Sequence, residues 1–165
     1  ENVSGSLGHG LNLAAGISLA NKINKKKQFT FVLLGDGECH EGTIWEAAMF
    51  ASHYKLDNLI AIIDRNKLAV LDKTENIIKL EPFASKWRSF GWNVVKLNGH
   101  DIKTICNNLL RLKKSKKSTK PTVIIANTIK GKGIKEMENK IQWHHGVPSN
   151  KLFEMAKKEL QLEKK

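Results

Sequence analysis

Apolar residues recur along this chain in two alternating rhythms. Leu11, Ala15, Ser18, Leu19 and Ile23 fall at helical spacing and predict a helix rich in small residues over 7–23. The run Phe-Thr-Phe-Val-Leu-Leu over 29–34 is β-branched and aromatic and is closed by Gly35, as expected of a buried strand. Helical spacing returns over 43–54, with Ile44, Ala47, Ala48 and Ala51 on one side. A second buried strand is predicted over 59–63, closed by Asp64-Arg65-Asn66. Pro82 is suited to open a helix running through Trp87. Residues 92–97 make a third strand, ended by Asn98-Gly99. Asp101 is placed to cap a helix whose apolar stripe is Ile102, Ile105, Leu109 and Leu112. A fourth strand covers 122–126, and Ser149 caps a last helix carrying Leu152, Phe153, Ala156 and Leu160.

Strands that are apolar on both faces and alternate with helices imply an α/β fold. The sheet is expected to be doubly wound and mostly parallel, with helices on both faces. A length of 165 residues suits one domain with a substantial core. The long segments without clear periodicity are 67–81 and 130–148, and loops of that length in a compact domain are usually functional. Ligands of open α/β sheets sit beyond the carboxyl ends of the strands. Gly35-Asp36-Gly37, Asp64-Arg65-Asn66, His100 and the segment from Lys130 all follow strands, so they are expected on one rim.

Composition changes this picture little. Hydrophobic residues are 41% and charged residues 27%, ordinary globular usage. The longest uncharged apolar runs are too short to span a bilayer, and Cys39 and Cys106 make no metal or disulfide spacing. These features set aside a membrane span, a disulfide miniprotein and a collagen-like fibre. No secretory signal is present in these residues, and the expected location is cytoplasmic. The net charge of +12 is unusual and suits anionic partners. Few aromatics interleave with the lysine clusters at 25–27, 113–120, 157–158 and 164–165, so a nucleic-acid partner is not expected.

Chemistry concentrates at the strand ends. Asp36 stands between two glycines, which let backbone approach a bulky anion, and Asn66 follows thirty residues on at the close of the next strand. A carboxylate and an amide oxygen at neighbouring loop tips are hard donors suited to Mg²⁺, which takes few protein ligands and leaves room for phosphate oxygens. Gly35-Asp36-Gly37 followed by Asn66 resembles the thiamine diphosphate motif. Further segments, Ser4 to Gly10, Gly35 to Gly42, Leu56 to Ala61 and Trp143-His144-His145-Gly146, together resemble the N-terminal, diphosphate-binding part of transketolase. The resemblance runs from Ser4 to about Pro148.

The resemblance implies a thiamine diphosphate-binding fold and a role for each matching residue. Asp36, Asn66 and the Leu68 carbonyl would ligate Mg²⁺, or Ca²⁺ or Mn²⁺ in its place. Gly37 and Asn66 would also touch the diphosphate. Gly5, Ser6 and Leu7 would border the waist of the cofactor, and Lys130 would approach its diphosphate. Glu41 would belong to a proton network between paired sites. His144 would lie near diphosphate and donor substrate, with His145 the alternative by one register. His9 and His100 match no catalytic position. The implied reaction is transfer of a two-carbon ketol unit between sugar phosphates. The pyrimidine-binding domain of the family is absent from these residues, and Glu1 already stands inside a motif, so residues before it are expected. The expected assembly therefore includes a pyrimidine-domain (C-terminal) subunit, in a homodimer or heterotetramer. The small-residue helix face over 11–23 and the Trp45/Met49 helix are expected partner surfaces. Two alternatives remain: a related enzyme such as 1-deoxyxylulose-5-phosphate synthase or a dihydroxyacetone-type transketolase, and a truncated, non-catalytic thiamine diphosphate- or polyanion-binding protein.

Overall fold

In a computed structural model, residues 5–114 and 118–160 are described. Ser4, part of the 113–120 lysine stretch and the terminal lysines lie outside them. Four strands, β1 (Thr30–Gly35), β2 (Leu59–Arg65), β3 (Asn93–Asn98) and β4 (Thr122–Asn127), form a parallel sheet in the order β1-β2-β4-β3. The helices are α1 (Gly10–Ile23), α2 (Gly42–His53), α3 (Thr74–Ile77), α4 (Phe83–Ser89), α5 (Ile102–Lys114) and α6 (Asn150–Glu159). Short 3₁₀ turns occupy Gly37–His40 and Ile141–His144.

The strand order explains which helix covers which face. The chain moves from β1 to β2 and on past the place of β4 to β3, then turns back to β4. Right-handed crossovers put helices of opposite direction on opposite faces. Accordingly Leu11, Ala14 and Ala15 of α1, Ile44, Ala47, Ala48 and Ala51 of α2, and Phe83, Ala84 and Trp87 of α4 pack with Leu34, Ala61, Ile63, Val123 and Ile125. The other face buries Ile60, Leu97, Ile124 and Ala126 against Ile105, Leu109 and Leu112 of α5. Successive strand residues thus serve opposite cores, as the pleat requires.

Both expected caps are present. The Leu152 N–H donates to Ser149 Oγ at 3.3 Å and the Thr104 N–H to Asp101 Oδ1 at 3.0 Å. Several details differ from the sequence expectation. The first helix starts at Gly10 rather than residue 7, because Gly8 lies in the left-handed region with φ +79°. Ile102 is 74% exposed, since it stands at the first turn of α5, beyond the edge of the contact with β3 and β4. In α6, Ala156 is the buried member while Phe153 is exposed, as is Leu160 just past the helix end. The second face of β1 is not covered: Phe31 and Leu33 face away from the core that Val32 and Leu34 enter, and α5 does not reach them. The segment 67–81 holds the single-turn α3.

Candidate functional site

The ends of β1, β2 and β4 are aligned by register, with Gly35 opposite Asp64 and Arg65 opposite Asn127. The rim inferred from the sequence is therefore a continuous ledge. Beyond Gly35 the Asp36 N–H donates to the Asp64 carbonyl at 3.2 Å, extending the ladder by one rung before the chain turns. Asp36 then caps the 3₁₀ turn, its Oδ1 accepting from the Gly37 N–H at 2.8 Å. Its Oδ2 accepts from the Lys67 N–H at 2.6 Å and from Arg65 at 3.0 Å, and the residue is 1% exposed. Burial raises the Asp36 carboxyl above its ordinary value, while the Lys67 N–H, Arg65 and the Gly37 N–H all favour the charged form.

Asn66 and Leu68 lie in the same small volume. Asn66 Oδ1 accepts from the Leu68 N–H at 2.9 Å, an Asx turn that curls the chain back toward Asp36. Gly37 eases this approach, since a Cβ there would stand 3.1 Å from the Ala69 Cβ and one of the two would have to give by a few tenths of an ångström. The structure thus brings the three expected metal ligands together through Lys67 and the Gly37–Ala69 contact. One carboxylate, one amide oxygen and one carbonyl are hard donors that suit Mg²⁺ and leave its other positions to phosphate and water. Among the described residues no group of three His, Cys, Asp or Glu is poised for a metal.

The expected cofactor-waist segment reaches the same ledge. Glu38 accepts from the Gly8 N–H at 2.9 Å and from the Gly35 N–H at 3.2 Å, while Thr43 Oγ1 and Asn12 Nδ2 donate to the Gly8 carbonyl at 2.9 and 2.8 Å. Gly5 and Leu7 are exposed just before this anchor, and the Ser6 carbonyl accepts from the His9 N–H at 3.3 Å. Glu41 precedes α2 without capping it through its side chain. Lys130 opens a compact turn in which its carbonyl accepts from the Asn139 N–H at 2.9 Å. His144 is exposed beside His145, ring centroids 4.8 Å apart, and its pKa is lowered by partial burial, by Lys130 and by His145. Lys130 and His144 therefore share one neighbourhood. No hydrogen bond or ion pair among the described residues joins either of them to Asp36.

The roles of three contributors escaped the sequence reading, although it placed Arg65 and His100 on the rim. Glu38 links β1 to the Gly8 segment, and the spacing of its two backbone partners carries no sequence signal. His100 accepts from the Ile129 N–H at 2.8 Å, tying the start of the Lys130 segment to the end of β3. Arg65, which closes β2 in sequence, is 2% exposed and reaches four oxygen acceptors. A charged residue at a strand end ordinarily signals solvent.

The family model described as "Transketolase, thiamine diphosphate binding domain" matches residues 1–164. The chain is 44% identical over 157 residues to an apulose-4-phosphate transketolase subunit of Phocaeicola vulgatus, covering 95% of this chain and 55% of that protein. It is 40% identical over 160 residues to a 6-deoxy-6-sulfo-D-fructose transketolase subunit of a Clostridium species, covering 97% of this chain and 58% of that protein. The chain spans a little over half the length of these two relatives. The crystal structure of transketolase from Campylobacter jejuni superimposes with a TM-score of 0.86 at 32% identity, over 96% of this chain and 26% of that one.

Proposed function

Because this chain belongs to the transketolase thiamine diphosphate binding domain family, we propose that it forms the diphosphate-binding half of a transketolase active site. The reaction is transfer of a two-carbon ketol unit between sugar phosphates, with Mg²⁺ and with a partner chain that supplies the pyrimidine-binding half. The observation that carries this reading is the convergence of Asp36, Asn66 and Leu68 at the ends of adjacent strands, with Gly37 making the close approach between their loops.

Asp36, Asn66 and the Leu68 carbonyl would hold the cation, and Gly37 and Asn66 would lie against the diphosphate. When bound, thiamine diphosphate supplies carbanion stabilisation that no side chain provides. The protein contributes position and charge: Lys130 would approach phosphate, and His144, whose pKa is lowered by partial burial, Lys130 and His145, would hydrogen-bond substrate hydroxyls. Glu41 and the Gly5–Leu7 segment complete the cofactor's surroundings. The net charge of +12 favours phosphorylated substrates. Two related proteins are named as transketolase subunits, which supports a separate partner chain; the assembly proposed with it is a homodimer or heterotetramer.

Calorimetric titration of the protein with thiamine diphosphate, with and without Mg²⁺, tests the reading. Binding should require the metal and vanish in Asp36→Ala. Metal-independent binding, or full affinity in the variant, would remove Asp36 from the site.

A further inference from the structure

We propose that Arg65 is the positioning residue of this site: it ties the Asp36 carboxylate to Thr74, Glu75 and Glu81, and so orders segment 66–81 in the form that presents Asn66 and Leu68 to a divalent cation. The proposal rests on the metal–diphosphate reading given above.

The guanidinium is buried and its terminal nitrogens are fully employed. Nη1 donates to Asp36 Oδ2 at 3.0 Å and to Thr74 Oγ1 at 2.8 Å, and Nη2 donates to Glu75 and Glu81, each at 3.0 Å. The Phe83 ring lies 5.2 Å from its central carbon. Only a planar fork of donors reaches four acceptors in this way; a lysine ammonium is a point charge with three. The acids it holds also gather the backbone of the loop. Glu75 accepts from the N–H groups of Leu80 and Glu81 at 3.2 and 3.3 Å, and Glu81 accepts from Phe83 at 2.8 Å. At the other end, the Lys67 N–H is on Asp36 and the Thr74 N–H on the Lys67 carbonyl. Both ends of the segment therefore converge on one cation.

Two consequences follow for metal binding. Arg65 and Lys67 take Oδ2 of Asp36, so Oδ1, which carries only the Gly37 N–H, retains a lone pair for a metal. One guanidinium facing three carboxylates also leaves the cluster anionic, so Asp36 is oriented without the site becoming repulsive to a cation. Groups that orient metal ligands in this manner typically control affinity by ten- to a hundredfold.

The test uses the full-length protein with Mn²⁺ as the probe, read by electron paramagnetic resonance in the presence of thiamine diphosphate. It is paired with amide exchange of 67–81 in the absence of both. Arg65→Lys probes the fork directly. Glu75→Ala/Glu81→Ala, at partly exposed side chains, removes the acceptors of Nη2 while leaving the Asp36 and Thr74 acceptors of Nη1 in place. Both variants should weaken Mn²⁺ about tenfold and speed exchange in 67–81 while β2 and β4 stay protected. Saturating Mn²⁺ should restore the wild-type signal, which a merely structural lesion would not do. Unchanged Mn²⁺ affinity in both variants, with Asp36→Ala still abolishing binding, overturns the role of Arg65 and leaves the metal site standing. Protection lost across the whole sheet also overturns it. Absence of cation-dependent binding in the unsubstituted protein overturns the reading and the proposal together.

Discussion

Replacing Gly8 by alanine tests whether the segment before α1 is held on the site by backbone geometry. Its φ of +79° is unfavourable for any residue with a Cβ, by about 1–2 kcal/mol. That Cβ would also stand 2.6 Å from Thr43 Oγ1 and 2.8 Å from the Glu41 Cβ. Thr43 can relieve the first clash by rotating, at the loss of its hydrogen bond to the Gly8 carbonyl, about 1 kcal/mol. The Glu41 Cβ moves only with its backbone, an overpacking cost of about 1–3 kcal/mol. The total is about 3–6 kcal/mol, a large share of the stability of an ordinary domain. Urea denaturation followed by circular dichroism reads it as a midpoint lower by about 1.5–3 M at a slope near 2 kcal/mol/M. Gly16→Ala is the control, because nothing lies within 4 Å of the added Cβ and the position is exposed and helical. It should stabilise by about 0.5–1 kcal/mol. If Gly8→Ala leaves both the midpoint and the amide exchange of residues 8 and 9 unchanged, the segment is not anchored as described.

Two further outcomes follow from groups around the site. The Glu81 carboxyl is held below its ordinary value by the Phe83 N–H and by Arg65, so its contribution to stability is complete above about pH 4.5 and is lost as pH falls through the lowered folded value. Glu81→Gln should therefore be less stable than the unsubstituted protein at neutral pH, with the two denaturation midpoints converging in acid; a gap constant down to pH 2 would refute the linkage. Burial, Glu38 and Asp36 push the Cys39 thiol up, whereas Cys106 is exposed on α5. A thiol reagent should modify one cysteine rapidly and the second only on unfolding, and equal rates in the native protein would contradict that burial.

Much of the ledge was legible because its signals are local. A strand run ending in Gly35, another ending in Asn66 and a helix capped at Asp101 each declare themselves within a few residues. The parallel register then places their ends side by side. The coverage of the sheet was not legible to the same degree. Phe31 and Leu33 have the pattern of a two-sided buried strand, but whether a helix lies over them depends on the path of α5, which periodicity does not contain. Ile102 failed for a related reason, since a stripe position at a helix end is buried only if the neighbouring strand extends that far.

The chain by itself determined the order of strands and helices, the rim on which chemistry gathers and the placing of Asp36 and Asn66 at neighbouring strand ends. Each of these follows from side-chain period, turn residues and spacing. Tertiary structure alone decided the strand order β1-β2-β4-β3, the anchoring of Gly8 on Glu38 and the burial of Arg65. The acceptors of Arg65 are separated from it by 9, 10, 16 and 29 residues. A charged group is tolerated in the interior only where such distant oxygens meet it, and that meeting exists only once the loops have closed.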